Sequence, residues 1–356
     1  MNRYIRVAFG LLVVIWVADL VSQIFDITRF WMDDALSYAA GGRHLLAAQP
    51  IYAPFQLAGP YGLGDAAWGH GFVYPPTAAL LFVPLAPLGM SGLGVVFVAA
   101  LMALGFLAYG VARSTGLDTR TAAILATLVT FSGPAINASS SGNFNLLIAD
   151  ALLASWLRPR WSGYLAVVGG LVKFFPAAGL VWTLRTRGPF LRPITVGLFI
   201  AAITTLIVAS AGWRDFLVAF ANGHSSSWYE IPSPAQALGP GIGTAVGYGL
   251  AALALGGVWR IRDDRLAFAM LGWAMILPAP DWWSHYLVVP LAAGLPWVCA
   301  EIRPRVVRRT SQSRATVGHP SHERNTATSS RKMSAPSAES KQASGRFSRL
   351  RKPFER

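Results

Sequence analysis

Apolar residues run in long blocks through the first 300 positions, and short polar or basic links separate the blocks. The runs cover residues 7–25, 91–113, 121–139, 143–157, 162–184, 193–211, 241–258, 266–277 and 286–300. Each reads as a helix in hydrocarbon, since only helices and closed barrels satisfy every backbone group there. Arg3 and Arg6 precede the first run. That run lacks a small-residue cleavage site and further spans follow it, so the expectation is a retained helix and not a signal peptide. A shorter apolar stretch opens at Tyr74-Pro75-Pro76 and stops at Pro87-Leu88-Gly89. About twelve residues fall short of a ~30 Å hydrocarbon core, so this stretch is expected to lie at the membrane surface.

Charge placement orients the chain. Arg113, Arg120, Arg158, Arg160, Arg185, Arg187, Arg192, Arg260, Arg262 and Arg265 fall on alternate links, which the positive-inside rule puts in the cytoplasm. The run 162–184 breaks the alternation, because arginines flank it on both sides. Its middle reads Lys173-Phe174-Phe175-Pro176, a charge beside a helix breaker. Two half-length helices with Lys173 at the outer turn satisfy both facts, and they place Lys173 at a cavity reached from outside. The expected fold class is all-α: a polytopic integral membrane protein with about nine crossings, one broken half-helix hairpin and a long first extracytoplasmic loop. The stretch 212–240 is expected as a second external loop. Both termini are expected in the cytoplasm and the chain in the cell's inner (plasma) membrane.

Composition agrees. The chain is 54% hydrophobic and 13% charged, with a mean hydropathy of +0.45, too few charges to cover a soluble protein of 356 residues. The net charge of +14 is uneven: residues 301–356 hold 14 Lys and Arg against 4 Asp and Glu. Two domains are therefore expected, a membrane domain over 1–300 and a basic disordered cytoplasmic tail over 301–356. A solvated extension without a role is the first reading of such a tail and contact with anionic headgroups the second; nucleic acid is not an expected partner. A single cysteine, Cys299, excludes a disulfide framework. No His/Asp cluster stands at metal-ligand spacing, so neither a metal nor another cofactor is indicated.

The residues expected outside include Asp33, Asp34, Tyr38, Arg43, His44, His70, Tyr74, Asn143, Asn145, Lys173, His224, Asp281 and His285. No soluble domain houses a site, so a reaction belongs at the outer face. Nucleotide sugars are absent there, and a sugar donor would ride on a lipid. Transfer from a lipid phosphate needs one base for the acceptor hydroxyl and one cation for the departing phosphate. Asp34 and Tyr38 share a helix face at i, i+4, which favours Asp34 over Asp33 as the base. The alternative is that both carboxylates only favour the positive end of their helix. Lys173 suits the phosphate; its structural alternative is an ion pair with Asp150. His285 follows two tryptophans and is either a donor contact or an interfacial residue. Asn143 and Asn145 cap a helix or hold sugar hydroxyls; Tyr74 sets the entry of the surface helix or, with Tyr38, contacts the donor's phosphate or sugar. Asp19 and Asp150 lie inside spans without an assigned role.

Several stretches taken in order resemble glycosyltransferase family 87, a GT-C family of polyprenyl-phosphate-mannose-dependent α-mannosyltransferases. They are Asp34-Ala-Leu-Ser-Tyr38 with Leu45, Pro50 and Tyr52, then Phe72-Val-Tyr-Pro-Pro76 and Ser141-Gly-Asn-Phe-Asn-Leu-Leu147, then the Lys-x-x-Pro of 165–176 and Trp283-Ser-His285-Tyr286. The resemblance covers about 7–300 and departs from the family pattern at Ala48, Asn143 and Ser233-Pro-Ala-Gln236. It implies a hexosyltransferase of GT-C type, with mannose as the sugar. The polyprenyl-phosphate donor and a glycolipid or cell-envelope glycan acceptor would be its partners, alongside membrane lipids; no protein partner is indicated. A transporter or flippase for a lipid-linked or small solute is the other class in view. It would place its charges along a central path, whereas most lie here in one external loop.

Overall fold

The computed structural model of the chain describes residues 32–62, 71–224, 232–239, 241–279 and 282–317. The expected first crossing, and with it Asp19, lies outside the described residues, as do His70, Asp281 and the stretch 318–356. The chain divides into two compact units, Met1–Arg309 and Thr310–Arg356. Of the second, only 310–317 is described, as helix.

Helices make up nearly all of the described structure. In chain order they are α1 Asp33–Leu46, α2 Pro54–Ala58, α3 Pro76–Phe82, α4 Met90–Ser114, α5 Thr119–Thr130, α6 Gly133–Ser140 and α7 Asn145–Leu157. There follow α8 Ser162–Val172, α9 Gly179–Arg185, α10 Leu191–Asn222, α11 Pro234–Leu238, α12 Ile242–Arg260, α13 Asp264–Ile276 and α14 Val288–Val317. Short 3-10 turns precede α9 at Phe175–Ala178 and α14 at Ser284–Leu287. Two parallel two-residue segments, β1 Tyr61–Gly62 and β2 Gly223–His224, are paired with Tyr61 opposite Gly223.

Among the described residues, four stretches are long and apolar enough to cross a membrane: α4, α10, α12 and Ser284–Arg303. A fifth is counted if α5 and α6, bent by 51° at Phe131 and Ser132, form one span. The bend falls where Gly133 and Pro134 open α6, since Pro134 has no N–H to continue the ladder of α5. Two of the expected crossings are shorter. Helices α7 and α13 have 13 residues each, about 20 Å at 1.5 Å per residue, against ~30 Å of hydrocarbon. The stretch after Tyr74, expected to lie at the membrane surface, forms the short apolar segment Pro76–Leu85, with Thr77, Ala78, Ala79 and Phe82 buried. The external loop expected from residue 212 is corrected: α10 bends at Ala209 and runs on to Asn222. Helix also continues to Val317, past the point where the tail is expected to begin.

The broken hairpin is there in regular form. Val172 ends α8, Lys173 is extended (φ −131°, ψ 134°), and Pro176 sits in the turn that follows. Ser162 Oγ at the start of α8 lies 3.0 Å from Thr183 Oγ1 near the end of α9, so the two helices run back along each other. Glycines permit their contact. A Cβ on Gly169 would come within 2.7 Å of Pro176, and one on Gly179 within 2.9 Å of Ala166.

Phe97, Leu93 and Leu104 of α4, Leu146 and Leu153 of α7, and Phe268 and Leu271 of α13 are fully buried. Trp156, Trp182 and Phe268 pack ring on ring, tying α7, α9 and α13 together. The outward faces of α10 and α12 carry exposed Leu198, Phe199, Leu206, Leu253 and Trp259. An apolar exterior on this scale suits lipid contact and not water. Arg185 staples the arginine-rich end, donating to Val258 O and pairing with Asp264 at 2.6 Å.

The segment between α1 and α3 is held by buried Gln56. Its Oε1 accepts from Ala53 N at 2.9 Å, and its Nε2 donates to Phe72 O at 3.2 Å and to Tyr61 Oη at 3.3 Å. Asn222 Nδ2 donates to Gln56 O, and Tyr61 Oη donates to Ala219 O, both at 2.9 Å, fastening this segment to the end of α10. Gln56→Leu keeps the volume but orphans buried backbone groups, at a cost of about 1–3 kcal/mol. We expect its unfolding midpoint in detergent to fall by several degrees. A wild-type midpoint would remove Gln56 from its structural role.

Candidate functional site

At the end of the bundle away from Arg158 and Arg160, four parts of the chain converge: the start of α1, the α6–α7 link, the end of α8 and the turn before α14. The start of α1 is pinned first. Met32 N donates to Ser140 O at 2.7 Å and Asp34 N to Ser141 O at 3.0 Å. Met32 holds a left-handed backbone (φ 60°), rare for a residue with a side chain. Gly142 also has φ +68°, and a Cβ there would stand 2.5 Å from that of Ala35. The link can therefore approach α1 closely only as glycine.

This approach places Asn143 among the charged groups. Its Nδ2 donates to Asp34 Oδ2 at 2.7 Å and lies 3.1 Å from His285 Nε2. Its Oδ1 accepts from Asn145 N at 2.9 Å and from Lys173 Nζ at 3.4 Å. Lys173 also donates to Asn145 Oδ1 at 3.1 Å. Both partners of Oδ1 are donors, which fixes the amide's orientation. Since Nδ2 can only donate, His285 Nε2 is the acceptor, and Nδ1 carries the hydrogen to Asn137 Oδ1, 2.9 Å away. Trp283 stacks parallel to the imidazole, 3° from coplanar.

Aromatic rings floor the site. Tyr38 stacks on Phe82 at 4.5 Å, accepts from Phe144 N at 3.2 Å and lies 3.0 Å from Tyr74 Oη. Lys173 Nζ sits over the rings of Tyr74 and Tyr286, 5.5 and 5.1 Å from their centres, a cation–π arrangement. Tyr52 Oη donates to Tyr74 O at 2.7 Å. Burial foremost, and the charge of Asp34 after it, push the Tyr38 phenol well above its usual range. Burial does the same to Tyr74, so both remain protonated. Thr77 Oγ1 donates to Leu171 O at 2.6 Å, tying α3 to the end of α8 beside Lys173.

Burial sorts these residues. Tyr38, Asn143, Asn145 and His285 are buried, whereas Asp34 and Lys173 are only half-buried. The acid and the cation meet accessible space, and the amides and imidazole brace them from behind. Asp34, Tyr38, Tyr74, Asn143, Asn145, Lys173 and His285 all come together, although the expectations drew them from five separate stretches. Asn143 stands one residue before the N-cap of α7, Phe144, and its Oδ1 accepts from the first helical amide, Asn145 N. Lys173 does not pair with Asp150, whose buried Oδ1 has no hydrogen-bond partner among the described residues. Asp33 precedes Asp34 in the first turn of α1, and it is Asp34 that receives Asn143. Arg43 and His44 are exposed in the last turn of α1, away from the site. Asn137 and Tyr286 complete the site without having been singled out as site residues. Asn137 reads as an ordinary small polar residue inside an apolar run, and a polar side chain at that depth was the available signal.

A multi-pass helical membrane protein with an acid, a cation and a braced polar shell at one end of its bundle is the class these observations define. Residues 72–280 match the family model described as Glycosyltransferase family 87, more than half of the chain. The chain belongs to glycosyltransferase family 87 and is a membrane glycosyltransferase. No curated protein and no solved structure matches it. Tyr74, Asn143, Asn145 and Lys173 fall inside the matched residues; Asp34, Tyr38 and His285 lie outside them and join the site through the fold.

Asn143→Asp tests the amide. It sets a carboxylate oxygen where Nδ2 now donates, against Asp34 and His285. We expect a lower unfolding midpoint than wild type at neutral pH. The deficit should shrink as the pH falls, because a proton shared between the carboxylates relieves their repulsion. A deficit that does not change with pH would contradict direct contact with Asp34.

Proposed function

We propose that this protein transfers a hexose, mannose by family resemblance, from a polyprenyl-phosphate donor to a glycolipid or cell-envelope glycan. Transfer takes place at the extracytoplasmic face of the inner membrane, in the manner of a GT-C enzyme. The observation that carries the reading is the juxtaposition of Asp34 and Lys173 on opposite ends of one amide, Asn143. A single displacement at an anomeric carbon needs this pair of charges. Asp34 takes the proton from the acceptor hydroxyl as its oxygen bonds to the anomeric carbon. The carbon–oxygen bond to the phosphate breaks on the opposite side, inverting the centre, and Lys173 meets the charge that builds on the phosphate. Tyr38 and Tyr74, held protonated, offer hydroxyls to the sugar. His285 and Asn145 hold the amide and the ammonium in place; no separate general acid is required, because phosphate is already a good leaving group.

Asp34→Asn should lower turnover by about 10²–10⁴-fold without loss of folded protein. Lys173→Ala should raise the donor KM by roughly ten- to a hundredfold and leave the acceptor KM nearly as it was. Kinetics on purified variants with a synthetic polyprenyl-phosphate mannose check both. Full activity in Asp34→Asn would end the base assignment, and an unchanged donor KM in Lys173→Ala the phosphate assignment.

Orientation has its own test in a Cys299→Ser background. A Cβ at Gly59 or at Gly241 has nothing within 4 Å, and Arg262 is exposed at the arginine-rich end. Gly59→Cys and Gly241→Cys should react with an impermeant thiol reagent on intact cells, and Arg262→Cys only after permeabilisation. The opposite pattern would place the site in the cytoplasm.

A further inference from the structure

Helix α10 is too long for one straight crossing. Its 32 residues would extend about 48 Å, against ~30 Å of hydrocarbon. Residues 191–208 already supply about 27 Å, and the helix bends at the next residue, Ala209 (φ 55°, ψ −171°). The bend turns the chain aside. Trp213 Nε1 donates to Thr205 Oγ1 at 3.0 Å, although eight residues of unbroken helix would set the two about 12 Å apart along the axis. Residues 210–222 therefore leave the line of the span where the hydrocarbon ends. One face of this half-helix packs on the protein beside Lys173: Phe216 and Ala219 are buried, and the Phe216 ring lies 5.9 Å from that of Phe174 and 6.1 Å from that of Tyr52. The other face is open. Leu217 and Phe220 are 62% and 61% exposed, with Arg214 exposed on the same side. Phe55 and Phe174 are exposed nearby.

Lipid is the occupant this face fits. The face continues the exposed apolar side of the span, where Leu198, Phe199, Leu206 and Ile207 meet the bilayer. Large apolar side chains with a basic residue among them suit a helix lying in the boundary between headgroups and acyl chains, and a long cationic side chain there reaches the phosphates. From this geometry we infer that residues 210–222 are an anchor in the membrane surface on the side of the site, with Leu217, Phe220 and Phe174 among the lipid chains and Arg214 at the phosphates. The anchor holds whatever reaction the site performs. It also carries part of the site. Asn222 Nδ2 donates to Gln56 O and Tyr61 Oη to Ala219 O, so the segment between α1 and α3 is fastened to the anchored half of α10. Tyr52, packed on Phe216, donates in turn to Tyr74 O beside Lys173. Lipid contact on α10 thereby steadies the aromatic floor.

The test uses the full-length protein in vesicles of phosphatidylcholine and phosphatidylglycerol. Nitroxides are attached singly at Leu217→Cys and Phe220→Cys in a Cys299→Ser background, with Leu206→Cys as the deep reference and Arg262→Cys as the aqueous one. The ratio of relaxation by oxygen to relaxation by a water-soluble nickel chelate should be several-fold higher at 217 and 220 than at 262, and lower than at 206. Both labels should lie about 5–10 Å below the phosphates. Nickel access at 217 and 220 equal to that at 262 would overturn the anchor. So would spin–spin broadening that disappears on dilution with unlabelled protein, since a second copy would then be the occupant. The unsubstituted protein gives an independent reading. A phosphatidylcholine with a diazirine on its upper acyl carbons should form adducts within 210–222, and one with the diazirine at the chain end should form them within 196–207 instead. If the labelled variants do not accumulate, these adducts decide, and none within 210–222 from the upper-carbon probe would overturn the assignment.

Discussion

The side-chain amide of Asn143 is the interaction on which the site depends. In a region of low dielectric each polar group must find a partner, and an unmatched one costs more than a matched one gains. Asn143 answers four such demands at once. It donates toward Asp34 and His285, and accepts from Lys173 and from the first amide of α7. Turning the amide over would set donor against donor and acceptor against acceptor at every contact. The fold therefore fixes one orientation, and the positions of the acid and the cation follow from it.

That amide reaches its place because the backbone around it is unusual. Gly142 supplies a left-handed residue and the closest approach to α1, and Met32 accepts a left-handed conformation at the start of that helix. Backbone of this kind persists where surrounding structure over-determines it, and it gathers at functional sites. Lys173 comes from the other side by a different device. The α8–α9 hairpin turns back within the apolar bundle, so a charged residue can end a helix among aromatic rings without crossing the hydrocarbon. Both devices deliver their residues to one end of the bundle.

Much of this was legible in the sequence. The balance of apolar and charged residues dictated a helical membrane protein, because backbone in lipid has few other solutions. Arginines on both sides of 162–184, with Lys173 and Pro176 between them, dictated a hairpin. The spacing of Asp34 and Tyr38 dictated a shared helix face. The ordered resemblance to family 87 is matched by the family model over 72–280. Crossing count was less legible, since run length on paper does not show where a helix stops. Helices α7 and α13 are only 13 residues long, and α10 carries ordered helix through a stretch that reads as loop.

What the sequence by itself determined, then, is everything set by local pattern: solvent class, helix breaks, and which neighbours share a face. The tertiary structure decided what depends on residues far apart in the chain. It brought Asn143 to Asp34 across 109 positions and to His285 across 142. It set Asn137 behind His285, and it gave Lys173 two amides as partners in place of Asp150. It also left Asp34 and Lys173 half-buried while enclosing the residues that brace them. None of these is a periodicity or a composition. Each depends on which helix ends meet, and only the packing of the bundle sets that.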